Sequence, residues 1–137
     1  MPQPVEIIKP HFLIAEDDYV SRKAIGLMLQ KADFEIDFAE DGLKAVEMWE
    51  SGEYDLILMD IQMPRMNGFE ATAAIRDKER TRGGHTPIIA LTAHALKEDK
   101  DKCLNAGMNA FISKPIDFAR TLLVIRETLR DKAEMQV

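Results

Sequence analysis

Five polar residues of this sequence follow apolar runs, and their side chains suit one kind of chemistry: Glu16, Asp17, Asp60, Thr92 and Lys114. Two carboxylates about 4 Å apart repel by roughly 4 kcal/mol at an effective dielectric near 20. Three that met at one place would therefore raise one another's pKa or recruit a cation. Mg²⁺ prefers such oxygen ligands and is often completed by a phosphate. If the five side chains converge, they favour phosphoryl transfer to a carboxylate, in which positioning and charge neutralisation supply most of the rate.

The elements that must position these residues are visible as an alternation of apolar runs and segments with helical periodicity. Short apolar runs bounded by turn residues predict strands, and one candidate alternates polar and apolar residues instead. Glycines and prolines separate the segments. Strands are predicted at residues 12–15, 35–39, 56–59, 88–91 and 111–112, with five helices between and after them.

This alternation predicts an α/β fold with a parallel sheet covered on both faces, because parallel neighbours need a crossover that a helix supplies. The continuous apolar runs should be central, and residues 35–39 should form an edge strand. The expected architecture is flavodoxin-like, a doubly wound five-stranded sheet in the order 2-1-3-4-5 with five helices. Ligands bind at the carboxyl ends of strands in such sheets, so the polar residues should meet there.

Size and composition limit the class of protein. A chain of 137 residues suits one domain, which would bury roughly 68% of its unfolded surface. The net charge of −6 argues against direct binding of nucleic acid. Cys103 is the one cysteine, which predicts a reduced, cytoplasmic compartment and disfavours a zinc site. The sequence lacks a recognisable signal peptide or a membrane-spanning apolar run, so direct membrane contact is not expected.

Four ordered motifs resemble the receiver domain of two-component response regulators, in particular receivers of hybrid sensor histidine kinases and phosphorelays. They are Glu16-Asp17 after the first strand, MDIQMPRMNG around Asp60, ALTAHA around Thr92 and FISKPI around Lys114. Four motifs in this order are more specific than any one alone. The resemblance implies a receiver domain at residues 11–131, an N-terminal extension at 1–10 and a C-terminal tail at 132–137.

The resemblance implies a role for each residue of the site. Asp60 would accept a phosphoryl group from phosphohistidine. Asp17 would bind Mg²⁺ directly, Glu16 would act mostly through water, and Gln62 would complete the metal site with its backbone carbonyl. Lys114 would hold a phosphoryl oxygen.

The resemblance also implies a conformational switch. Thr92 would move toward the phosphate, and Phe111 would turn into the space that it leaves. Gln62 and His94 would tune the lifetime of the phosphate. The peptide bond Lys114-Pro115 would be cis.

The function implied is that of a phosphoacceptor in signal transduction. The domain would catalyse its own aspartyl phosphorylation and dephosphorylation, without turnover of free substrates. Its partner would be a histidine kinase or histidine phosphotransfer protein that docks near residues 18–21 and the loop after the fifth strand. Two forms stay open, a single-domain protein and a piece of a hybrid kinase, and so does dimerisation on phosphorylation.

Two positions depart from the family pattern. Asn67 stands where Asp is commoner, and both residue types tolerate a left-handed turn. Asp18 and Ser21 stand where hybrid-kinase receivers often have asparagines.

Simpler interpretations exist for each residue taken alone. Asp17 or Asp18 could cap the first helix, and Asp60 could form a turn. The run RDKERTR, residues 76–82, is expected to be a solvated helix end and loop. Convergence of the five polar residues is what favours a site.

Three other functions compete with this interpretation. A Mg²⁺-dependent phosphatase would need a second acid two residues after its aspartate, where this chain has Gln62. A binding module that never meets phosphate is disfavoured, because all the acceptor-site residues are present. A flavin carrier would need a hydroxyl- and glycine-rich loop after the first strand, where the sequence is the acidic AEDDYVSR.

Overall fold

The computed structural model describes residues 9–93 and 97–135, which contain a sheet of five parallel strands in the order β2-β1-β3-β4-β5. The predicted doubly wound architecture is therefore confirmed. The strands are β1 (His11–Ala15), β2 (Glu35–Ala39), β3 (Leu56–Asp60), β4 (Ile88–Thr92) and β5 (Ala110–Ser113). The helices are α1 (Tyr19–Lys31), α2 (Gly42–Ser51), α3 (Gly68–Arg82), α4 (Lys97–Asn105) and α5 (Phe118–Met135).

Two of the three interior strands are buried along their whole length. Every residue of β3 and β4 is buried, because helices cover both faces of the sheet. The β2 strand lies at an edge with its exposure mixed, as its alternating sequence predicted. The sheet register extends β3 and β4 by one residue beyond their apolar runs, since Asp60 pairs with Leu91 and Thr92 pairs with Ser113. Asp60 and Thr92, two of the five polar residues of the predicted site, thus belong to the sheet itself.

Two apolar clusters form the core, one on each face of the sheet. Alternate strand residues point to opposite faces, so Ile57 joins the cluster that contacts α2, α3 and α4, whereas Leu58 joins the one that contacts α1 and α5. Burial of a side chain such as Leu58 contributes about 1.5–3 kcal/mol. Among the described residues, no helix is long and apolar enough to cross a membrane.

The run of charged residues at 76–82 differs from its prediction. It lies entirely within α3, and Glu79 is buried at 7% exposure. Its carboxylate accepts hydrogen bonds from Arg76 Nη1 at 2.7 Å and from the backbone N of Thr86 at 2.6 Å. The expectation of a solvated segment is therefore wrong at Glu79. Its partners come from α3 and from the loop before β4, and a pattern of charges along the sequence does not predict such contacts.

Candidate functional site

The predicted site residues meet at the carboxyl ends of β1, β3, β4 and β5. Parallel register brings these ends to one edge of the sheet, where they border a cleft of about 530 Å³. The cleft is lined by the predicted residues Glu16, Asp17, Asp60, Gln62, Thr92 and Lys114, and by Asp18, Ile61, Phe69, Leu91, Ala93, Asp99 and Lys102.

Three carboxylates form the acidic part of the cleft. One oxygen from each of Glu16, Asp17 and Asp60 lies within 4.8 Å of the other two. Glu16 and Asp60 are 1% and 6% exposed, whereas Asp17 is exposed. Buried carboxylates at this separation need a positive partner, and an all-oxygen donor set with an open side fits Mg²⁺.

Lys114 supplies a positive charge between two of these carboxylates. Its Nζ donates to Glu16 Oε2 and to Asp60 Oδ2, both at 3.0 Å. Burial disfavours its charge, but the two carboxylates outweigh burial and raise the pKa of Lys114. Burial, followed by the neighbouring Asp60, raises the pKa of Glu16 to about 7 against the opposing effect of Lys114. The cleft therefore holds more negative charge than one lysine neutralises.

At the start of α1, the neighbouring residues Asp17 and Asp18 have different roles. Asp18 is the N-cap, and its Oδ2 accepts a hydrogen bond from the backbone N of Ser21 at 2.9 Å. A hydrogen bond with the Ser21 side chain, followed by this backbone bond and a smaller contribution from Lys114, lowers the pKa of Asp18. Of the two capping candidates, the structure thus selects Asp18, while the Asp17 carboxylate lies beside those of Glu16 and Asp60.

The loop between β3 and α3 brings backbone groups close to Asp60. The backbone N of Gln62 donates to Asp60 Oδ1 at 3.3 Å. A Cβ at Gly68 would lie 2.3 Å from the Asp60 carbonyl oxygen, so this position requires glycine. Close packing of Gly68 against the end of β3 therefore holds the start of α3 next to Asp60.

Asn67 works as a helix cap and not as a left-handed turn residue. Its φ is −77°, and with Glu70 it forms a capping box at the start of α3. The left-handed residue of the loop is Arg65, with φ at 65°. Because Asn and Asp cap helices about equally well, the departure from the family pattern at Asn67 leaves the cap intact.

An ion pair that sequence reasoning missed ties this loop to α2. Arg65 Nε and Nη2 each lie 2.7 Å from Asp41 Oδ2. Asp41 is also the N-cap of α2, accepting from the backbone N of Lys44 at 2.8 Å. Burial opposes ionisation of Asp41, but the bonds from Lys44 and Arg65 lower its pKa. In the sequence, an aspartate directly before Gly42 was a signal for the N-cap of α2. No local pattern indicated that Arg65 would bind this aspartate.

The residues expected to switch lie on the neighbouring strands β4 and β5. Thr92 is buried, and its carbonyl accepts from the backbone N of Lys114 at 2.8 Å. Phe111 is half-buried and pairs with Ala90. The peptide bond Lys114-Pro115 is cis. His94, expected to tune the phosphate lifetime, lies outside the described residues.

Sequence comparisons place the chain among signalling proteins. The family model for the response regulator receiver domain matches residues 12–126. Hybrid signal transduction histidine kinase I of Dictyostelium discoideum is 45% identical over 117 residues, which cover 82% of this chain and 7% of that protein. Polar-differentiation response regulator DivK of Brucella ovis is 36% identical over 87% of this chain and 95% of its own. This chain thus corresponds to a small part of the kinase and to nearly all of the response regulator.

Solved structures agree with these matches. A sensor histidine kinase receiver domain from Pseudomonas aeruginosa, with a magnesium ion in its active-site cleft, has a TM-score of 0.80 at 37% identity and covers 89% of this chain and 98% of that one. The Saccharomyces cerevisiae Ssk1 receiver, bound to the phosphotransfer protein Ypd1, has a TM-score of 0.79 at 32% identity, covering 93% and 91%. On these grounds, the chain belongs to the response regulator receiver domain family of two-component and phosphorelay signalling.

Proposed function

We propose that this domain takes a phosphoryl group from phosphohistidine onto Asp60. The observation that carries the proposal is the meeting in one cleft of three carboxylates, at the carboxyl ends of β1 and β3, with Lys114, which follows β5. Neither a helix cap nor a turn would need these groups together. Receiver domains are phosphoacceptors, and all the residues required for that chemistry line this cleft.

Each group of the cleft has a part in the transfer. An oxygen of the Asp60 carboxylate attacks phosphorus, the bond from phosphorus to the donor imidazole breaks, and its electron pair stays on the imidazole nitrogen. The backbone N–H of Gln62 orients Asp60 by donating to Oδ1. Lys114, already 3.0 Å from Asp60 Oδ2, then binds an oxygen of the transferred group.

Mg²⁺ belongs to the same proposal. Asp17 and Asp60 would hold it directly, Glu16 through water and Gln62 through its backbone carbonyl. When bound, the ion neutralises charge on the phosphoryl oxygens. The magnesium-bound receiver from Pseudomonas aeruginosa supports this assignment.

The output would be a change of shape on the face formed by α4, β5 and α5. Phosphorylation raises the negative charge on Asp60 and adds acceptor oxygens, which attract the Thr92 hydroxyl. Phe111 then turns into the space that Thr92 leaves. The domain then catalyses its own dephosphorylation, in which water attacks the phosphoryl group on Asp60. Gln62 and His94 tune the rate of this attack and so the lifetime of the signal.

The donor would be a histidine kinase or a histidine phosphotransfer protein, as the complex of the Ssk1 receiver with Ypd1 suggests. We propose a receiver domain at residues 11–131, an N-terminal extension at 1–10 and a C-terminal tail at 132–137 whose first four residues continue α5, with the domain in the cytoplasm. It would act either as a single-domain regulator or within a hybrid kinase. Light scattering before and after phosphorylation tests for dimerisation.

Phosphorylation by acetyl phosphate with Mg²⁺ tests the acceptor. Intact mass spectrometry should find one phosphoryl group on the wild-type chain and none on Asp60→Asn, which keeps the shape of the side chain without its nucleophilic charge. Stoichiometric labelling of Asp60→Asn at another residue would refute the assignment. Steady turnover of a phosphomonoester by the wild-type chain would instead favour the phosphatase alternative.

A further inference from the structure

One basic side chain of α4 lies against the aromatic ring that we expect to switch. Lys100 Nζ is 4.8 Å from the centroid of the Phe111 ring, within the range of a cation–π interaction. Both side chains are half-buried, so the ammonium is partly desolvated where it meets the ring. The contact joins α4 to β5, two of the elements whose arrangement the switch would alter.

The Phe111 ring is the contact that the structure gives the Lys100 ammonium. Within residues 9–93 and 97–135, Lys100 makes no hydrogen bond and no ion pair. Its acidic neighbours Glu98, Asp99 and Asp101 are one or two positions away along α4, and side chains at those spacings do not face each other on a helix. The residues three and four positions later, Cys103 and Leu104, are uncharged. Among the described residues of α4, no carboxylate therefore faces Lys100 and competes with the ring.

We propose that Lys100 is a positioning residue of the switch, and this inference rests on the proposed function. Its contact stabilises the Phe111 ring in the half-buried position seen here and so favours the unphosphorylated state. When the Phe111 ring turns inward toward Thr92, it moves away from the Lys100 ammonium. The cation–π contact is therefore lost on activation. Removal of the Lys100 charge should shift the equilibrium toward the active state by about two- to fivefold, the effect of a half-exposed cation–π contact.

Beryllofluoride, a mimic of the phosphoryl group, measures this equilibrium when it binds with Mg²⁺. A ligand that selects the active state binds more tightly in proportion to the population of that state. Lys100→Met keeps the length of the side chain but loses its charge, and it should bind beryllofluoride about two- to fivefold more tightly than wild type. Lys100→Arg keeps a cation over the ring and should restore the wild-type affinity. Lys31→Met, the same change at an exposed site on α1, should leave the affinity unchanged.

The Phe111→Leu background separates this role from a general effect of charge. Without the ring, Lys100→Met should no longer change the affinity. In NMR spectra of the wild-type chain, the ε-methylene protons of Lys100 should be shifted by the ring, and this shift should diminish when beryllofluoride binds.

The outcomes distinguish this inference from the proposed function. If the wild-type chain does not bind beryllofluoride with Mg²⁺, the proposed function fails and the inference falls with it. If the wild-type chain binds but Lys100→Met does so equally well, or if its effect persists in Phe111→Leu, only the role of Lys100 is refuted.

Discussion

At the scale of residues, the carboxylates of the cleft carry more negative charge than Lys114 neutralises. Lys114 bridges Glu16 and Asp60, while Asp17 and Asp18 add two more carboxylates nearby. Such an arrangement costs stability and is retained where function needs it. Both residue-scale predictions follow from this excess of charge.

The first prediction concerns how the stability of the chain depends on pH through Glu16. Its pKa is about 7 in the folded chain and ordinarily 4.5. Between these values the folded chain keeps a proton at Glu16 that the unfolded chain has released, so the free energy of unfolding falls as pH rises from 4.5 to 7. In buffer without divalent cations, the wild-type chain should therefore lose stability relative to Glu16→Gln across this range.

Urea unfolding of both chains at several pH values measures the difference. Titrating groups away from Glu16 are shared by the two chains, so their effects cancel in the comparison. Parallel stability curves for the two chains would contradict the raised pKa.

The second prediction concerns the metal and two adjacent aspartates. Mg²⁺ should stabilise the wild-type chain, by about 2.7 kcal/mol at one hundred times its dissociation constant. Asp17→Asn should weaken this binding by about tenfold or more, because it removes a direct ligand. Asp18→Asn is the matched control, since asparagine caps α1 as well as aspartate does and the change in charge is the same. Thermal unfolding across a Mg²⁺ titration measures both, and equal losses would argue against a special role for Asp17.

At the scale of elements, contacts with the start of α2 hold the loop after β3 in place. Arg65 reaches Asp41 at the start of α2, and the backbone N of Gly42 donates to the Met66 carbonyl at 3.1 Å. The loop that contains Gln62 therefore depends on α2 for its position.

The Arg65–Asp41 pair carries the element-scale prediction. Arg65→Gln should lower the free energy of unfolding by about 1–2 kcal/mol, because it leaves the buried Asp41 carboxylate with fewer donors while the arginine itself is largely exposed. Arg65→Lys keeps the charge but lacks the two-pronged guanidinium, and its loss should be intermediate. Urea unfolding measures the series. A Lys variant as weak as the Gln variant would show that fork geometry, and not charge, holds the loop.

At the scale of the whole molecule, the cleft opens beside an apolar groove between α1 and the loop after β5. The groove has a volume of about 530 Å³ and is lined by Ser21, Ala24, Ile25, Met28, Lys114, Pro115 and Ile116. This is the face on which the proposed donor would dock. Small phosphate donors would reach Asp60 without contacting this groove, whereas the proposed protein donor would cover it.

The whole-molecule prediction separates these two routes. Ala24→Glu puts a charge into the groove and should slow phosphotransfer from a phosphorylated histidine phosphotransfer protein by about tenfold, equivalent to about 1.4 kcal/mol. Phosphorylation by acetyl phosphate should not change. Gln30→Glu, at an exposed site of the same helix, should leave both rates unchanged. Rapid-quench assays measure both rates, with acetyl phosphate and with the fastest donor found among candidate histidine phosphotransfer proteins. An unchanged rate from the protein donor would exclude this docking face.

Much of the fold and the site could be predicted from local pattern. Period-two and apolar-run signals identified five strands, and the edge position of β2 followed from its alternation. Parallel topology then required the strand ends to share one edge, which is why Glu16, Asp60, Thr92 and Lys114 could be grouped before any distance was known. Asp17 was expected among them for the same reason.

What local pattern could not decide was which distant partner each charged or aromatic side chain meets. Asp18 and not Asp17 caps α1, Arg65 binds Asp41, Lys100 covers Phe111, and Glu79 is buried. Each of these contacts depends on distances of a few ångströms between elements far apart in the chain. The sequence by itself determined the order of elements and the edge of the sheet that carries the chemistry, because backbone periodicity is a local property. Only the tertiary structure decided the pairing of side chains, because that depends on how the helices pack against the sheet.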